Sequence, residues 1–186
     1  MAGSAIQTAS GRWLDPLDPD VASIDVGDIA QALANQCRFG GHCRAFYSVA
    51  QHSAIVADVC LERGGTPAEA LAALLHDAGE AYLVDLPHPL KHRSELGPPD
   101  RRAEARLEEA IRARFGLEPT GPEVKAIDRS LLATERRALT ATGERWPELD
   151  GAEPLAIEIE PWDPIRARRE FLDRFERFDG LRREAY

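Results

Sequence analysis

Apolar residues recur along most of this chain at steps of three and four, the spacing that gives a helix one dry face. From Asp25 onward Ile29, Ala30 and Leu33 share such a face, in a segment that ends near Cys37 and Gly40-Gly41. A second stripe, Val49, His52, Ile55, Val56 and Val59, starts near Phe46-Tyr47-Ser48, with Ser48 as a cap, and stops at Gly64-Gly65. The third helix opens at Thr66-Pro67, where threonine caps and proline suits the first turn. Its broad apolar run from Ala70 to Leu75 leads directly into His76-Asp77 and predicts a helix at the centre of the fold. Residues 99–115 read as a charged amphipathic helix. Pro122 opens another, to about Thr142, with Val124, Ile127, Leu131, Leu132 and Leu139 inward. Residues 164–178 make a last helix facing inward with Ile165, Phe171, Leu172, Phe175 and Phe178.

The interruptions have their own pattern. Residues 5–22 look extended, and Gln7-Thr8 and Trp13-Leu14 flank Ser10-Gly11 as a short β-hairpin would. Asp15-Pro16 and Asp18-Pro19 then force turns. The stretch from Asp85 to Lys91 reads as a loop, because Pro87 and Pro89 break a helix. A polar loop follows Gly143, and Ala156 to Glu160 alternates apolar and acidic residues like an edge strand. No repeat, low-complexity tract or boundary divides the chain. The prediction is one all-α domain over residues 1–186, a helical bundle with an N-terminal β-hairpin.

Composition narrows the setting. The 186 residues are 44% hydrophobic and 30% charged, enough for one globular core. No apolar run approaches the ~20 residues of a membrane span. The start MAGSAIQTAS lacks the basic and apolar regions of a signal peptide, so a cytoplasmic location is expected. A formal net charge of -9 argues against DNA or RNA as the main partner. It does not exclude a small phosphorylated substrate, because a metal ion reverses the local field. Cys37, Cys43 and Cys60 are odd in number and lack CxxC spacing, which argues against a disulfide framework; small buried thiols are the ordinary case. His42 between Cys37 and Cys43 leaves a Cys/His metal site as a lesser alternative.

Candidate chemistry sits where polar residues break apolar stripes. AALLHDAGEAY sets His76, Asp77 and Glu80 within a turn and a half of an apolar wall, and charges are rarely buried without a partner or a metal. His52 interrupts VAQHSAIV, and Asp128 follows inward Ile127. Alone, each reads as a satisfied core or surface residue. Together they offer two imidazoles and two carboxylates from three helices, a donor set for Mn²⁺, Fe²⁺, Co²⁺, Zn²⁺ or, less well, Mg²⁺. Four such ligands leave positions open for water and a phosphate oxygen. His42 follows two glycines and is a candidate phosphate donor, proton shuttle or structural residue; Arg44 is similar. Phe39 or Trp13 offers a stacking surface for a base. His88 and His92 receive no role.

His52, His76-Asp77 and Asp128 in that order resemble the H…HD…D signature of the HD-domain phosphohydrolases. HDAGEAYLVDLPHPLK resembles a stretch of the 5′-deoxynucleotidase branch, and CRFGGHCRAFYSVAQHS is similar to a segment of short bacterial and phage nucleoside triphosphohydrolases. The likeness covers roughly residues 6–140. It implies an α-helical bundle with His52, His76, Asp77 and Asp128 as metal ligands and Glu80 as the catalytic carboxylate that orients or deprotonates water. It implies that Asp85 serves the leaving group or a further metal, and that Arg38 and Lys91 hold phosphate. Phosphoryl transfer needs cations around the equatorial oxygens, and a metal lowers the pKa of bound water toward ~7, which agrees with those roles.

The expected function is therefore metal-dependent hydrolysis of (deoxy)nucleotides. Release of phosphate from a 5′-monophosphate and attack on a triphosphate both stay open. The alternatives are a di-iron oxygenase, for which His42, His88 and His92 lie at unhelpful places, and a metal- and nucleotide-binding helical module without turnover. The final helix either closes the bundle or makes a homodimer interface.

Overall fold

The computed structural model describes residues 3–141 and 146–184. Among them lie eight α-helices and one two-stranded antiparallel hairpin, the all-α architecture that the hydrophobic spacing predicts. Strand β1 (Ile6–Gln7) pairs with β2 (Trp13–Leu14), Ile6 opposite Leu14. Leu14 turns into the core, and Asp28 pins the hairpin by accepting from the Ser10 N–H at 2.6 Å and its hydroxyl at 2.7 Å.

Local signals set most helix ends. Asp25 caps α1 (Val26–Asn35) by accepting from the Gly27 N–H at 2.8 Å. Ser48 caps α2 (Val49–Glu62) through the Gln51 N–H at 3.1 Å. Thr66 and Glu69 form a reciprocal capping box at the start of α3 (Pro67–Leu74). Short α4 (Glu80–Leu83) and α5 (His88–Arg93) then lead to α6 (Gly97–Phe115), α7 (Pro122–Leu139) and α8 (Pro164–Glu184). Helix α2 packs against α1, α3, α7 and α8, and one continuous apolar cluster runs from Leu14 to Phe178. Phe171 and Phe178 are fully buried, so the final helix closes the bundle over α1, α2 and α3. Among the described residues no helix is long and apolar enough to cross a membrane.

Four expectations are corrected. Helix α3 stops at Leu74, so His76 and Asp77 lie in a turn over residues 75–79 and share no helix. Bonds spanning three residues, Ala78 N–H to Leu75 at 3.1 Å and Glu80 N–H to Asp77 at 3.0 Å, tighten the chain there. The stretch from Asp85 to Lys91 is only partly a loop: α5 starts at His88 with Pro89 in its first turn, where the missing N–H has no partner to lose. Ala156 to Glu160 pairs with no strand among the described residues. The buried Gln51 side chain serves that segment instead, donating to the Glu160 carbonyl at 2.7 Å and accepting from the Trp162 N–H at 2.8 Å. Ile165 is 83% exposed, outside the inward stripe of α8. Helix α7 ends at Leu139; the expected end near Thr142 and the start of the polar loop at Gly143 lie outside the described residues.

Candidate metal centre

Four side chains far apart in sequence converge at one end of the bundle. His52 stands on the fully buried face of α2. The turn after α3 presents His76 and Asp77, and α7 presents Asp128 beside buried Ile127. His52 Nε2 lies 3.1 Å from Asp128 Oδ1 and 3.6 Å from Asp77 Oδ2, and His76 Nε2 lies 3.2 Å from Asp77 Oδ2. Ligand atoms of His52, His76 and Asp77 all fall within 4.8 Å of one another, so these three could hold a metal ion. Donors about 2.1 Å from a first-row ion sit roughly 3.0–3.4 Å from each other at the corners of its coordination polyhedron, which the 3.1 and 3.2 Å pairs match and the wider spacing of the group, up to 4.8 Å, exceeds.

Orphaned atoms support that fit. A buried polar atom without a partner is costly, yet His52 Nε2 and His76 Nε2 are both buried without an aligned hydrogen bond. Their other nitrogens are committed. His76 Nδ1 donates to the Ala73 carbonyl at 2.7 Å, and His52 Nδ1 donates to Glu135 Oε1 at 2.7 Å. Carbonyls and carboxylates only accept, so each Nδ1 carries a proton, and each Nε2 faces the shared space.

Charge is concentrated around this space. Burial and the Arg38 cation oppose a proton on His52, but Glu135 and Asp128 outweigh them and push its pKa up to about 10. Asp128 moves the other way: burial would raise it, but His52, His76 and Arg38 hold it well below the carboxylate range. Glu80 is 9% exposed and has one unpartnered carboxylate oxygen. Burial first, then Asp77 and Asp85, raise its pKa well above the ordinary value. Burial also raises Asp85, against the opposing pull of Arg38. An excess of buried acid with unfilled donors is an environment that a bound cation relieves.

The centre forms part of the floor of a cleft of about 620 Å³. Arg38, His42, Asp77, Glu80, Asp85, Lys91 and Asp128 all line it, so the cleft brings together the expected substrate-side and catalytic residues with two of the four metal candidates. Arg38 is buried, with Nε 3.2 Å from Glu135 Oε2 and a terminal nitrogen 3.7 Å from Asp77. Burial disfavours its charge, but Glu135, Asp85, Asp77 and Glu80 more than offset that, so it is a fixed cation. Lys91 lines the cleft with its ammonium 2.5 Å from Glu104. His42 is exposed at the rim. Phe39 lines the cleft edge-on to Trp146 at 6.0 Å, whereas Trp13 lies in the hairpin and does not line it.

The sequence reading passed over several residues. Glu135 is fully buried and touches both His52 and Arg38. Its signal was present: it lies seven residues after Asp128, on the apolar stripe of Leu131 and Leu139. Gln36 donates to the Glu80 carbonyl at 2.9 Å and accepts from the Asp85 N–H at 3.1 Å, which locks those two acids together. Val84, between them, has φ of 75°, a left-handed backbone that a β-branched residue adopts only under tertiary constraint. Neither feature has a signature in the local sequence.

No family model matches this sequence. The chain is similar to the uncharacterized protein YfdR of Escherichia coli (strain K12), 39% identical over 186 residues that cover 97% of this chain and 98% of that protein. It is also 35% identical over 163 residues to the uncharacterized protein RCAP_rcc00048 of Rhodobacter capsulatus, across 86% of this chain and 81% of that one.

Proposed function

The chain belongs to the family of YfdR, and we propose that it is a metal-dependent hydrolase of small phosphorylated substrates, with (deoxy)nucleotides as the substrate class. The observation that carries this reading is the approach of His52, His76 and Asp77 ligand atoms to within 4.8 Å of one another, with Asp128 3.1 Å from His52, beside a cleft that Asp77 and Asp128 line. The sequence resemblance to HD-domain phosphohydrolases supports it independently. His52, His76, Asp77 and Asp128 would hold a divalent ion of the Mn²⁺, Fe²⁺, Co²⁺ or Zn²⁺ type, with Mg²⁺ as the weaker match. Such an ion, when bound, neutralises a phosphoryl group and acidifies water.

The chain's own residues do the rest. Arg38, held rigid by Glu135, places a fixed positive charge at the cleft wall, where a phosphoryl oxygen gains charge in the transition state. Glu80, buried at the cleft with one unpartnered carboxylate oxygen, would act as the proton acceptor. Asp85, fixed through Gln36, stands ready to serve the leaving group. His42 at the open rim takes a proton-shuttle or phosphate-contact role.

Incubation of the protein with each of Mn²⁺, Co²⁺, Zn²⁺ and Mg²⁺ against nucleoside mono-, di- and triphosphates tests the reading. Metal-dependent phosphate release is expected, with loss of at least about a hundredfold in an Asp77→Ala variant that still folds. Orthophosphate from monophosphates marks a 5′-nucleotidase; tripolyphosphate marks a triphosphohydrolase. No release from any substrate with any metal would overturn the proposal.

A further inference from the structure

Two thiols bracket the segment that carries Arg38, Phe39 and His42 into the cleft, and the function proposed above uses neither. Cys37 and Cys43 are half-buried free thiols whose Sγ atoms lie 3.4 Å apart. The backbone brings them together. Cys37 bridges Ser48, and the Arg38 N–H donates to the Tyr47 carbonyl at 2.9 Å, which closes the loop at its base. Phe39, Gly40 and Gly41 have φ of 59°, 59° and 80°, a left-handed run that reverses the chain and returns Cys43 to Cys37. A disulfide needs sulfurs about 2.05 Å apart, so the remaining approach is within reach of side-chain rotation. Cys60, on α2 against Gly65, is the buried third thiol and takes no part.

We propose that Cys37 and Cys43 are a reversible modification site, oxidised to an intramolecular disulfide by a small-molecule disulfide such as oxidised glutathione. Cys37, as thiolate, attacks one sulfur of the small disulfide and expels the first small thiolate, which takes up the proton Cys37 gave up. Cys43 then attacks the Cys37 sulfur of the mixed disulfide, expels the second small thiolate and passes its proton to it. Two protein thiols are oxidised and one small disulfide is reduced to two thiols. Burial and the Cys37 contact push the Cys43 thiol up to about 11, which disfavours its thiolate, and its position 3.4 Å from the Cys37 sulfur offsets that in the second step. The product is a seven-residue ring, residues 37–43, that holds Arg38 and His42 in fixed relation to the cleft.

The experiment reads thiols and peptides, so its outcome is independent of the hydrolase reading. The native protein is equilibrated with oxidised glutathione, quenched with acid, alkylated and cut with trypsin. Cleavage after Arg12, Arg38 and Arg44 places the two cysteines on peptides 13–38 and 39–44, which only the disulfide keeps joined. The expected result is a fall from three free thiols to one, with the joined pair found and Cys60 alkylated. Cys60→Ser should oxidise as the parent does, and Cys37→Ser and Cys43→Ser should yield no joined pair. Three thiols left free, arrest at the glutathione adduct, or links between separate chains would each overturn the proposal.

Discussion

A carboxylate on the dry face of a helix is tolerated only where its charge is matched, and Glu135 is matched twice, by His52 and by Arg38. It fixes the His52 ring on one side and the Arg38 guanidinium on the other, so it links the two residues. Glu135→Gln keeps the shape and one acceptor for His52 but removes the charge facing Arg38. We expect its affinity for Co²⁺ or Mn²⁺, measured by calorimetry, to fall by about 10–100-fold. An affinity equal to that of the parent would show that His52 needs no carboxylate behind it. His52, His76, Asp77 and Asp128 were legible at this scale because each breaks an apolar stripe. Glu135 breaks one too, but in the sequence ATERR it reads as part of a solvated helix end, and only the packing of α2 against α7 buries it.

Among the elements, the short segment from α4 to α6 holds contacts that no local pattern announces. Its helices are short and broken by Pro87 and Pro89, so periodicity is silent there and tertiary contacts decide. Gln36 reaches across from the end of α1, Val84 takes up a left-handed backbone, and Gly97 lets α6 start against α5. A Cβ on Gly97 would fall far inside van der Waals contact with the Lys91 carbonyl oxygen. Gly97→Ala should therefore displace α5 and cost about 1–3 kcal/mol, read as a lower midpoint in urea. A variant as stable as the parent would mean that α5 and α6 do not approach this closely in solution. The helix starts, by contrast, were legible: Asp25, Ser48 and Thr66 each cap with a side chain and a backbone N–H two or three residues away.

At the scale of the whole molecule the site's charges become a dependence of stability on pH. His52 has a folded pKa of about 10 against 6.5 for the free side chain. Its contribution is fully present below about pH 6.5 and is lost as pH rises toward 10. Glu80, also raised, acts in the same direction from its unfolded value upward. Chemical denaturation of the metal-free protein should thus show lower stability near pH 9.5 than near pH 6.5, and a bound divalent ion should weaken or reverse that trend, because it displaces the same proton. Stability that held level or rose with pH in chelator would contradict the buried charge network.

Local information was enough for the helical class, the caps, the hairpin and the residue types of a metal site, because capping and amphipathic spacing act over a few neighbouring residues. Tertiary structure alone decided that His52, His76 and Asp77 meet with Asp128 against His52, that Glu135 stands behind His52, that Lys91 is tied to Glu104, and that Cys37 lies against Cys43. Those facts depend on which buried faces pack together and on which charges must then find partners out of water, and that choice is made by the assembled core as a whole.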